Sequence, residues 1–161
     1  MSLAIRRARP DETGLVLSLV RELATYEKLL HEVEATEADI AAALFADNPR
    51  LFCDVAEWNG APAGFAVWFV NFSTFRGRHG IYLEDLFVRP ALRGNGIGKA
   101  LLVHLAKTCL ANGWSRLQWA VLDWNTPSIE FYKSLGAVLM DDWTICRVTG
   151  SALSALAEGP R

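Results

Sequence analysis

A glycine-rich turn is the first stretch of this sequence whose residue types suggest chemistry. Residues 93–99 read Arg-Gly-Asn-Gly-Ile-Gly-Lys and lie between a strand-like apolar segment and a helix-like one. The first N–H groups of a helix have no partners inside it and carry a partial positive charge, and glycine lets an anion approach the backbone closely. The turn therefore predicts a phosphate-binding site, with an ordinary helix start as the alternative.

The spacing of these glycines separates the turn from two common nucleotide motifs. A dinucleotide fingerprint, Gly-x-Gly-x-x-Gly, ends in Gly or Ala. This sequence has Lys99 at the last position if the motif starts at Gly94, and Leu101 if it starts at Gly96. A P-loop begins with Gly and ends in Ser or Thr, whereas Arg93 and Ala100 occupy those positions. What remains is the pattern Arg-x-x-Gly-x-Gly, formed by Arg93, Gly96 and Gly98.

Two carboxylates interrupt the apolar strand that precedes the turn. Glu84 and Asp85 lie within Tyr-Leu-Glu-Asp-Leu-Phe-Val at 82–88, and strict alternation predicts that they point to opposite faces. Burial of a carboxylate is costly unless the group is paired or faces a wet cleft. One of the two is therefore expected to be structural, and the other is a candidate general base with a raised pKa.

A third segment, 123–133, reads Asp-Trp-Asn-Thr-Pro-Ser-Ile-Glu-Phe-Tyr-Lys and predicts a short helix. Pro127 suits the first helical turn. Ser128 and Tyr132 are four residues apart and share one helix face. An aromatic anchor that packs this helix is one interpretation of Tyr132.

These segments need a sheet and helices to hold them, and hydrophobic periodicity predicts both. Early hairpins, with a tight turn at Asn59-Gly60, are followed by alternating strands and helices, a pattern typical of a mixed α/β sheet in one domain spanning 1–161. Asp11 and Thr36 are predicted N-caps. The predicted strands are 5–8, 51–58, 63–72, 81–88, 116–122, 137–140 and 144–148, and the predicted helices are 11–26, 36–45, 97–111 and 128–135.

The composition excludes several classes of protein. The 161 residues are 52% hydrophobic and 21% charged, which argues against disorder. A net charge of −2 predicts no nucleic-acid partner, and the longest apolar run, 63–70, is too short to span a membrane. Cys53, Cys109 and Cys146 are far apart, so buried reduced thiols, a cytoplasmic location and no metal site are expected. No signal peptide is apparent.

Together, the glycine turn, the Glu-Asp strand and the Trp-Asn-x-Pro-Ser segment resemble the GNAT N-acetyltransferase family. Residues 21–27 (Arg-Glu-Leu-Ala-Thr-Tyr-Glu), 73–78 and 120–125 are similar to its spermidine/spermine and thialysine (diamine) N-acetyltransferase branch. The resemblance implies the GNAT acyl-CoA N-acyltransferase fold, a single domain with a central twisted, mostly antiparallel sheet flanked by helices. It also implies acetyl-CoA as co-substrate, with no metal or redox cofactor.

The resemblance assigns roles to particular residues. The strand at 81–88 is expected to carry a bulge and to splay from its neighbour, which frees backbone N–H groups for the pantetheine arm and the thioester carbonyl. Tyr132 becomes the acid that protonates the departing thiolate. Because an alkyl ammonium must lose a proton before it can attack, Glu84 is predicted as the general base, acting directly or through water. The implied amine contacts are Tyr26, Glu27, Glu84 and Asp142. The implied coenzyme contacts are Leu86, Phe87, Val88, Arg93, Gly94, Asn95, Gly96, Ile97, Gly98, Lys99, Asn125 and Ser128.

The implied reaction is direct transfer of acetyl from acetyl-CoA to the primary amine of a small diamine or a thialysine- or lysine-like substrate. Polyamine-specific relatives carry an acidic residue near the position of Ser73, so long polyamines are disfavoured. Two alternatives stay open: a protein lysine or N-terminal acetyltransferase, and a non-catalytic acyl-CoA-binding module on the same fold. Relatives of this branch are homodimers, and Phe72, Phe75 and residues 151–157 are candidates for such pairing.

Overall fold

The computed structural model describes residues 1–160, which form five strands and five α-helices. The strands are β1 (Leu3–Arg7), β2 (Phe52–Trp58), β3 (Ala61–Ser73), β4 (Arg78–Val88) and β5 (Leu117–Trp119). The helices are α1 (Thr13–Tyr26), α2 (Glu37–Leu44), α3 (Ile97–Ala111), α4 (Thr126–Ser134) and α5 (Gly150–Glu158). The chain divides into two compact units: residues 1–122 hold the sheet, and the second unit begins at Asp123 and holds α4 and α5.

The sheet has the strand order β1-β2-β3-β4-β5, antiparallel except for the last pair. Strands β2, β3 and β4 follow one another through short turns and pair as hairpins. Strand β5 is parallel to β4 and is reached through α3, the kind of crossover that a parallel pair requires. This mixed, mostly antiparallel sheet confirms the predicted fold class.

One hydrophobic core of the first unit lies between the sheet and helix α1. Helix α3 packs on β3 and β4 through other side chains, of which Leu101 and Leu105 are fully buried. Both helices contact β4, so the strand that leads to the glycine turn is held on each side by packing. The core residues shared by α1 and the strands are Val16, Leu19, Leu23, Cys53, Val55, Phe65, Val67 and Phe87.

Local sequence signals set several element ends. Thr36 Oγ1 accepts the Asp39 N–H at 3.2 Å, and the Asp39 carboxylate accepts the Thr36 N–H at 2.8 Å, so the predicted capping box starts α2. Asn59 has a positive φ of 52°, as its two-residue hairpin turn requires. The predicted cap at Asp11 is wrong, because a 3-10 turn precedes α1 there and the Glu12 carboxylate accepts the Arg9 N–H instead.

Gly64 marks a very close approach between β3 and β4. A Cβ on Gly64 would lie 2.4 Å from the Phe87 carbonyl oxygen, a backbone atom that cannot rotate away. We expect Gly64→Ala to lower the free energy of unfolding by about 1–3 kcal/mol, because the strands must separate to admit the methyl group. Gly14→Ala is the matched control, since its methyl would meet only the flexible Glu37 side chain and alanine favours a helix. Urea denaturation measures both, and equal stability of the two variants would contradict the steric argument.

The second unit departs from the sequence prediction in its strands. Residues 137–140 and 144–148 are predicted to be strands, but neither segment forms one. A strand needs a neighbouring strand to satisfy its N–H and C=O groups, but here the Ala137 N–H bonds to the Tyr132 carbonyl and the Trp143 N–H to the Met140 carbonyl, both within local turns. The predicted helix at 128–135 is confirmed as α4. The exposed apolar side chains of this stretch are Val138, Met140, Trp143, Ile145 and Val148.

The three cysteines are free thiols, of which Cys53 and Cys109 are buried as expected and Cys146 is exposed. Burial raises the pKa of the Cys53 thiol to about 12 and also raises that of Cys109, so both thiols are unreactive. Within residues 1–160, no helix is both long enough and apolar enough to cross a bilayer. Over the same residues, no group of three or more His, Cys, Asp and Glu side chains is placed to hold a metal ion.

Candidate active site

The start of helix α3 presents backbone N–H groups at a turn built for close approach. Gly94 and Gly96 adopt positive φ, at 83° and 78°, and Gly96 is the N-cap. No side chain caps the helix, and the helical hydrogen bonds begin with the Ala100 N–H donating to the Gly96 carbonyl. The Asn95 amide bonds back to a carbonyl of the preceding turn at 2.9 Å. The N–H groups of residues 97–99 precede the helical ladder and suit an anion such as a pyrophosphate.

Strands β4 and β5 part before β4 ends. Their parallel pairing stops at Leu83 and Trp119 in the described chain, whereas β4 stays paired with β3 as far as Val88. The edge of β4 over residues 84–88 therefore has no strand partner on the β5 side, as the resemblance implies. An open strand edge binds an extended molecule that carries amides. Since the opening leads directly into the glycine turn, the two features fit the arm and the pyrophosphate of coenzyme A.

A β-bulge places Glu84 where the strands part. In the β3–β4 ladder Val67 pairs with Asp85 and Trp68 pairs with Leu83, so Glu84 is the extra residue. This confirms the bulge that the resemblance implies. It also breaks the strict alternation that predicted opposite faces for the two carboxylates. Glu84 is exposed, whereas Asp85 is partly buried.

Three carboxyl groups beside this bulge influence one another electrostatically. Glu27 directly follows α1, and the charges of Glu84 and Glu27 both act on Asp85. Burial, together with those two charges, raises the pKa of Asp85 to about 7, and burial also raises the pKa of Glu27. None of the three takes part in the ion pairs found within residues 1–160. The cluster is therefore suited to an ammonium ion, and Asp85 is the member to which sequence reasoning gave no role.

The partly buried Asp85 carboxyl is expected to reduce stability at neutral pH. Its pKa of about 7 exceeds the ordinary value of 3.8, so the folded chain binds this proton more tightly than the unfolded chain. The contribution of Asp85 to the free energy of unfolding therefore falls as pH rises from about 4 to about 7. We expect Asp85→Asn to exceed wild type by on the order of 1–4 kcal/mol at pH 8 and to match it near pH 3.

Urea denaturation at several pH values measures this difference. Asp39→Asn is the control with the opposite sign, because hydrogen bonds from Thr36 lower the pKa of Asp39. That substitution should reduce stability at neutral pH and have no effect at pH low enough to protonate the carboxyl. A constant gap between Asp85→Asn and wild type across the pH range would contradict the raised pKa.

The Arg93 side chain lies against α1 and β4. Its guanidinium carbon is 4.5 Å from the centroid of the Tyr26 ring and 5.6 Å from that of Phe87. Its Nε donates to the Val88 carbonyl oxygen at 3.0 Å. Arg93 is predicted as a coenzyme contact of the glycine turn, and nothing in the sequence pattern indicates its stacking on Tyr26.

The remaining predicted site residues lie in the second unit, where α4 orders three of them. Asn125 is buried and is the N-cap of α4, and its Oδ1 accepts the Ser128 N–H at 3.4 Å. Pro127 lies in the first turn of the helix, as predicted. Tyr132 is partly buried on α4, and Asp142 is exposed in a turn that follows. The functional roles of these residues stay predictions.

Several known proteins that are similar to this chain are acetyltransferases. The profile described as "Acetyltransferase (GNAT) family" matches residues 16–137. Thialysine N-epsilon-acetyltransferase from Bos taurus is 39% identical, with 95% of this chain and 96% of that protein covered. L-Ornithine N5-acetyltransferase from Arabidopsis thaliana is 30% identical, with 94% and 86% covered. A solved integron cassette protein from the mobile metagenome of V. cholerae has a TM-score of 0.81 at 29% identity, over 99% of both chains.

Proposed function

Because this chain belongs to the acetyltransferase (GNAT) family and is an acetyl-CoA-dependent N-acetyltransferase, we propose that it acetylates the primary amine of a thialysine- or lysine-like amino acid or of a small diamine. The observation that carries the proposal is the opening of β4 from β5 beside the carboxyl groups of Glu27, Glu84 and Asp85. The opening suits the donor, and the carboxyls suit a cationic acceptor. The relatives named above act on thialysine and ornithine, which are amino acids with side-chain amines.

The donor side of the proposed site uses mostly backbone atoms. Acetyl-CoA, when bound, supplies a thioester whose carbonyl carbon accepts the amine. We assign its arm to the open β4 edge at Leu86, Phe87 and Val88, and its pyrophosphate to the N–H groups of residues 94–99. The backbone N–H groups at this helix N-terminus give the pyrophosphate position a partial positive charge, and no side chain has to rearrange to provide it. The proposed donor contacts from the second unit are Asn125 and Ser128.

The acceptor side has to change the protonation state of its substrate. An alkyl ammonium has a pKa near 10, so at neutral pH it arrives protonated and cannot attack. Glu84, at the bulge, accepts that proton directly or through water, while Tyr26, Glu27 and Asp142 bind the amine. The amine nitrogen then bonds to the acetyl carbon as the carbon–sulfur bond breaks, and Tyr132 donates its proton to the departing sulfur. The new amide nitrogen loses its second proton to solvent, and solvent returns a proton to the Tyr132 phenolate. Both substrates are held side by side, so no covalent bond to the enzyme is needed.

A short acceptor is supported by the residue at the end of β3. Ser73 is nearly buried, and its hydroxyl accepts the Arg76 N–H at 3.2 Å within a turn. It therefore offers no negative charge for a distant second or third ammonium group. We propose that long polyamines are poorer substrates than thialysine or a short diamine.

Calorimetry with coenzyme A, followed by a thiol-release assay on an acceptor panel, tests the proposal. We expect coenzyme A to bind and acetyl-CoA to be consumed with thialysine, lysine or 1,3-diaminopropane, and more slowly with spermidine or a lysine peptide. Binding without turnover on any amine would favour the non-catalytic module. A preference for the peptide would favour a protein acetyltransferase.

We propose further that residues 1–161 act as one N-acetyltransferase domain. We also propose that the chain forms a homodimer and that it is located in the cytoplasm. Free thiols at all three cysteines support a reducing compartment. Exposed apolar side chains support pairing with a second copy, since a monomer rarely leaves so many in contact with water. Light scattering behind size exclusion should give twice the chain mass of 17.8 kDa. The side chains concerned are Phe72, Phe75, Met140, Trp143, Ile145, Leu153 and Leu156.

A further inference from the structure

Tyr26 stands between the two sides of the proposed site. It is the last residue of α1 and directly precedes Glu27, one of the three clustered carboxyls. Its ring also lies beneath the guanidinium of Arg93, whose Cζ is 4.5 Å from the ring centroid. Arg93 is the residue from which the glycine turn starts. The Tyr26 side chain therefore contacts the donor loop, while Glu27, the next residue in the chain, belongs to the acceptor side.

The contacts of Arg93 tie the loop to the elements that frame the opening. The Tyr26 ring belongs to α1, whereas the Phe87 ring, at 5.6 Å, and the Val88 carbonyl, at 3.0 Å from Nε, belong to β4. Arg93 is otherwise exposed. Without the Tyr26 ring the guanidinium would keep only its contacts with β4, and the link from the turn to α1 would be lost. The glycines that follow offer no side chains to replace that link.

We propose that Tyr26 is a positioning residue for the coenzyme loop: its ring holds Arg93 and thereby fixes residues 94–99 for the pyrophosphate. The inference rests on the proposed function and gives Tyr26 a role on the donor side, besides the amine contact that the resemblance implies. Glu27, next in the chain, keeps its role on the acceptor side. The N–H groups of residues 94–99 bind the pyrophosphate, and Arg93, stacked on the Tyr26 ring, holds these groups in position.

A double-mutant cycle on coenzyme A affinity tests the coupling. Cation–π contacts of this strength predict that Tyr26→Leu weakens the Kd about three- to tenfold, whereas Tyr26→Phe, which keeps the ring, stays within about twofold of wild type. Arg93→Gln should weaken binding as well, and the double variant should be no weaker than the weaker single variant. A wild-type Kd for Tyr26→Leu, or losses that multiply in the double variant, would overturn the proposal.

Backbone ¹⁵N relaxation in the ligand-free protein supplies a second test that does not depend on coenzyme A. We expect the amide order parameters of residues 94–99 to fall towards the value of about 0.6 that marks flexible backbone in Tyr26→Leu, and to stay at the wild-type values in Tyr26→Phe. The amides of β2 serve as the internal reference for intact folding. Unchanged order parameters of the turn in Tyr26→Leu would sink the inference even if coenzyme A binds. A wild type that fails to bind coenzyme A would instead remove the proposed function, and the relaxation result would still decide the role of Tyr26.

Discussion

Replacing Tyr132 by Phe is expected to lower kcat by about 10²–10⁴-fold, the range that removal of a general acid usually costs. The Kd for coenzyme A should change by less than about threefold, because Tyr132→Phe keeps the ring that packs on α4 and removes only the hydroxyl. A thiolate that departs without a proton is a poorer leaving group at neutral pH, so the loss falls on the chemical step. Single-turnover acetyl transfer and calorimetry measure the two quantities.

Tyr82→Phe is the matched control for this substitution. Tyr82 lies on β4, where burial and the charge of Glu84 raise the pKa of its phenol, and no step of the proposed mechanism uses it. Removal of its hydroxyl should leave kcat within about threefold of wild type. If Tyr132→Phe and Tyr82→Phe had the same small effect, Tyr132 would be an aromatic anchor of α4 and not the acid.

Replacing Glu84 by Gln is expected to lower kcat/KM by about 10²–10³-fold at pH 7. The deficit should shrink as pH approaches 10, because the fraction of acceptor that is already unprotonated rises towards one half there. The bulge supports this expectation, because it leaves Glu84 exposed beside the strand opening. A pH–rate profile from pH 6 to 10 with one acceptor measures the convergence, and parallel profiles for variant and wild type would contradict the role of a base.

Glu27→Gln distinguishes a proton acceptor from a charge that merely attracts the amine. Glu27 has no assigned proton transfer, so its substitution should raise KM for the acceptor about three- to tenfold and change kcat little, which is typical of lost ground-state binding. Glu27 directly follows α1, whereas Glu84 lies on β4. The two substitutions therefore compare the contributions of two separate elements to the carboxyl cluster. Equal effects of the two substitutions on kcat would argue that the carboxyl cluster acts as one unit.

The backbone conformation of the proposed donor side could largely be predicted from the sequence. Glycine spacing predicts an uncapped helix start, and α3 begins at Ile97 with Gly96 in the left-handed region. Short turn signals such as Asn59-Gly60 predict hairpins for the same reason. These features follow from local steric rules, which a single sequence displays directly.

The acceptor side was less predictable because it depends on contacts between distant segments. Alternation could not reveal that Glu84 is a bulge residue, since a bulge is a property of the β3–β4 ladder and not of one strand. Nor could composition reveal that Asp85 has a pKa of about 7, which arises from burial and from Glu84 and Glu27. The missing strands at 137–140 and 144–148 have a similar cause, because apolar residues form a strand only where a partner backbone is available.

The parting of β4 from β5 has a consequence for how such an enzyme diversifies. Over residues 84–88 the groups that the proposed site offers to the donor are peptide N–H and C=O groups, which survive almost any codon change. The proposed acceptor contacts are carboxyl side chains such as Glu27, and a single nucleotide change replaces any of these. A scaffold of this kind retains one acyl donor across evolutionary time while its choice of amine drifts.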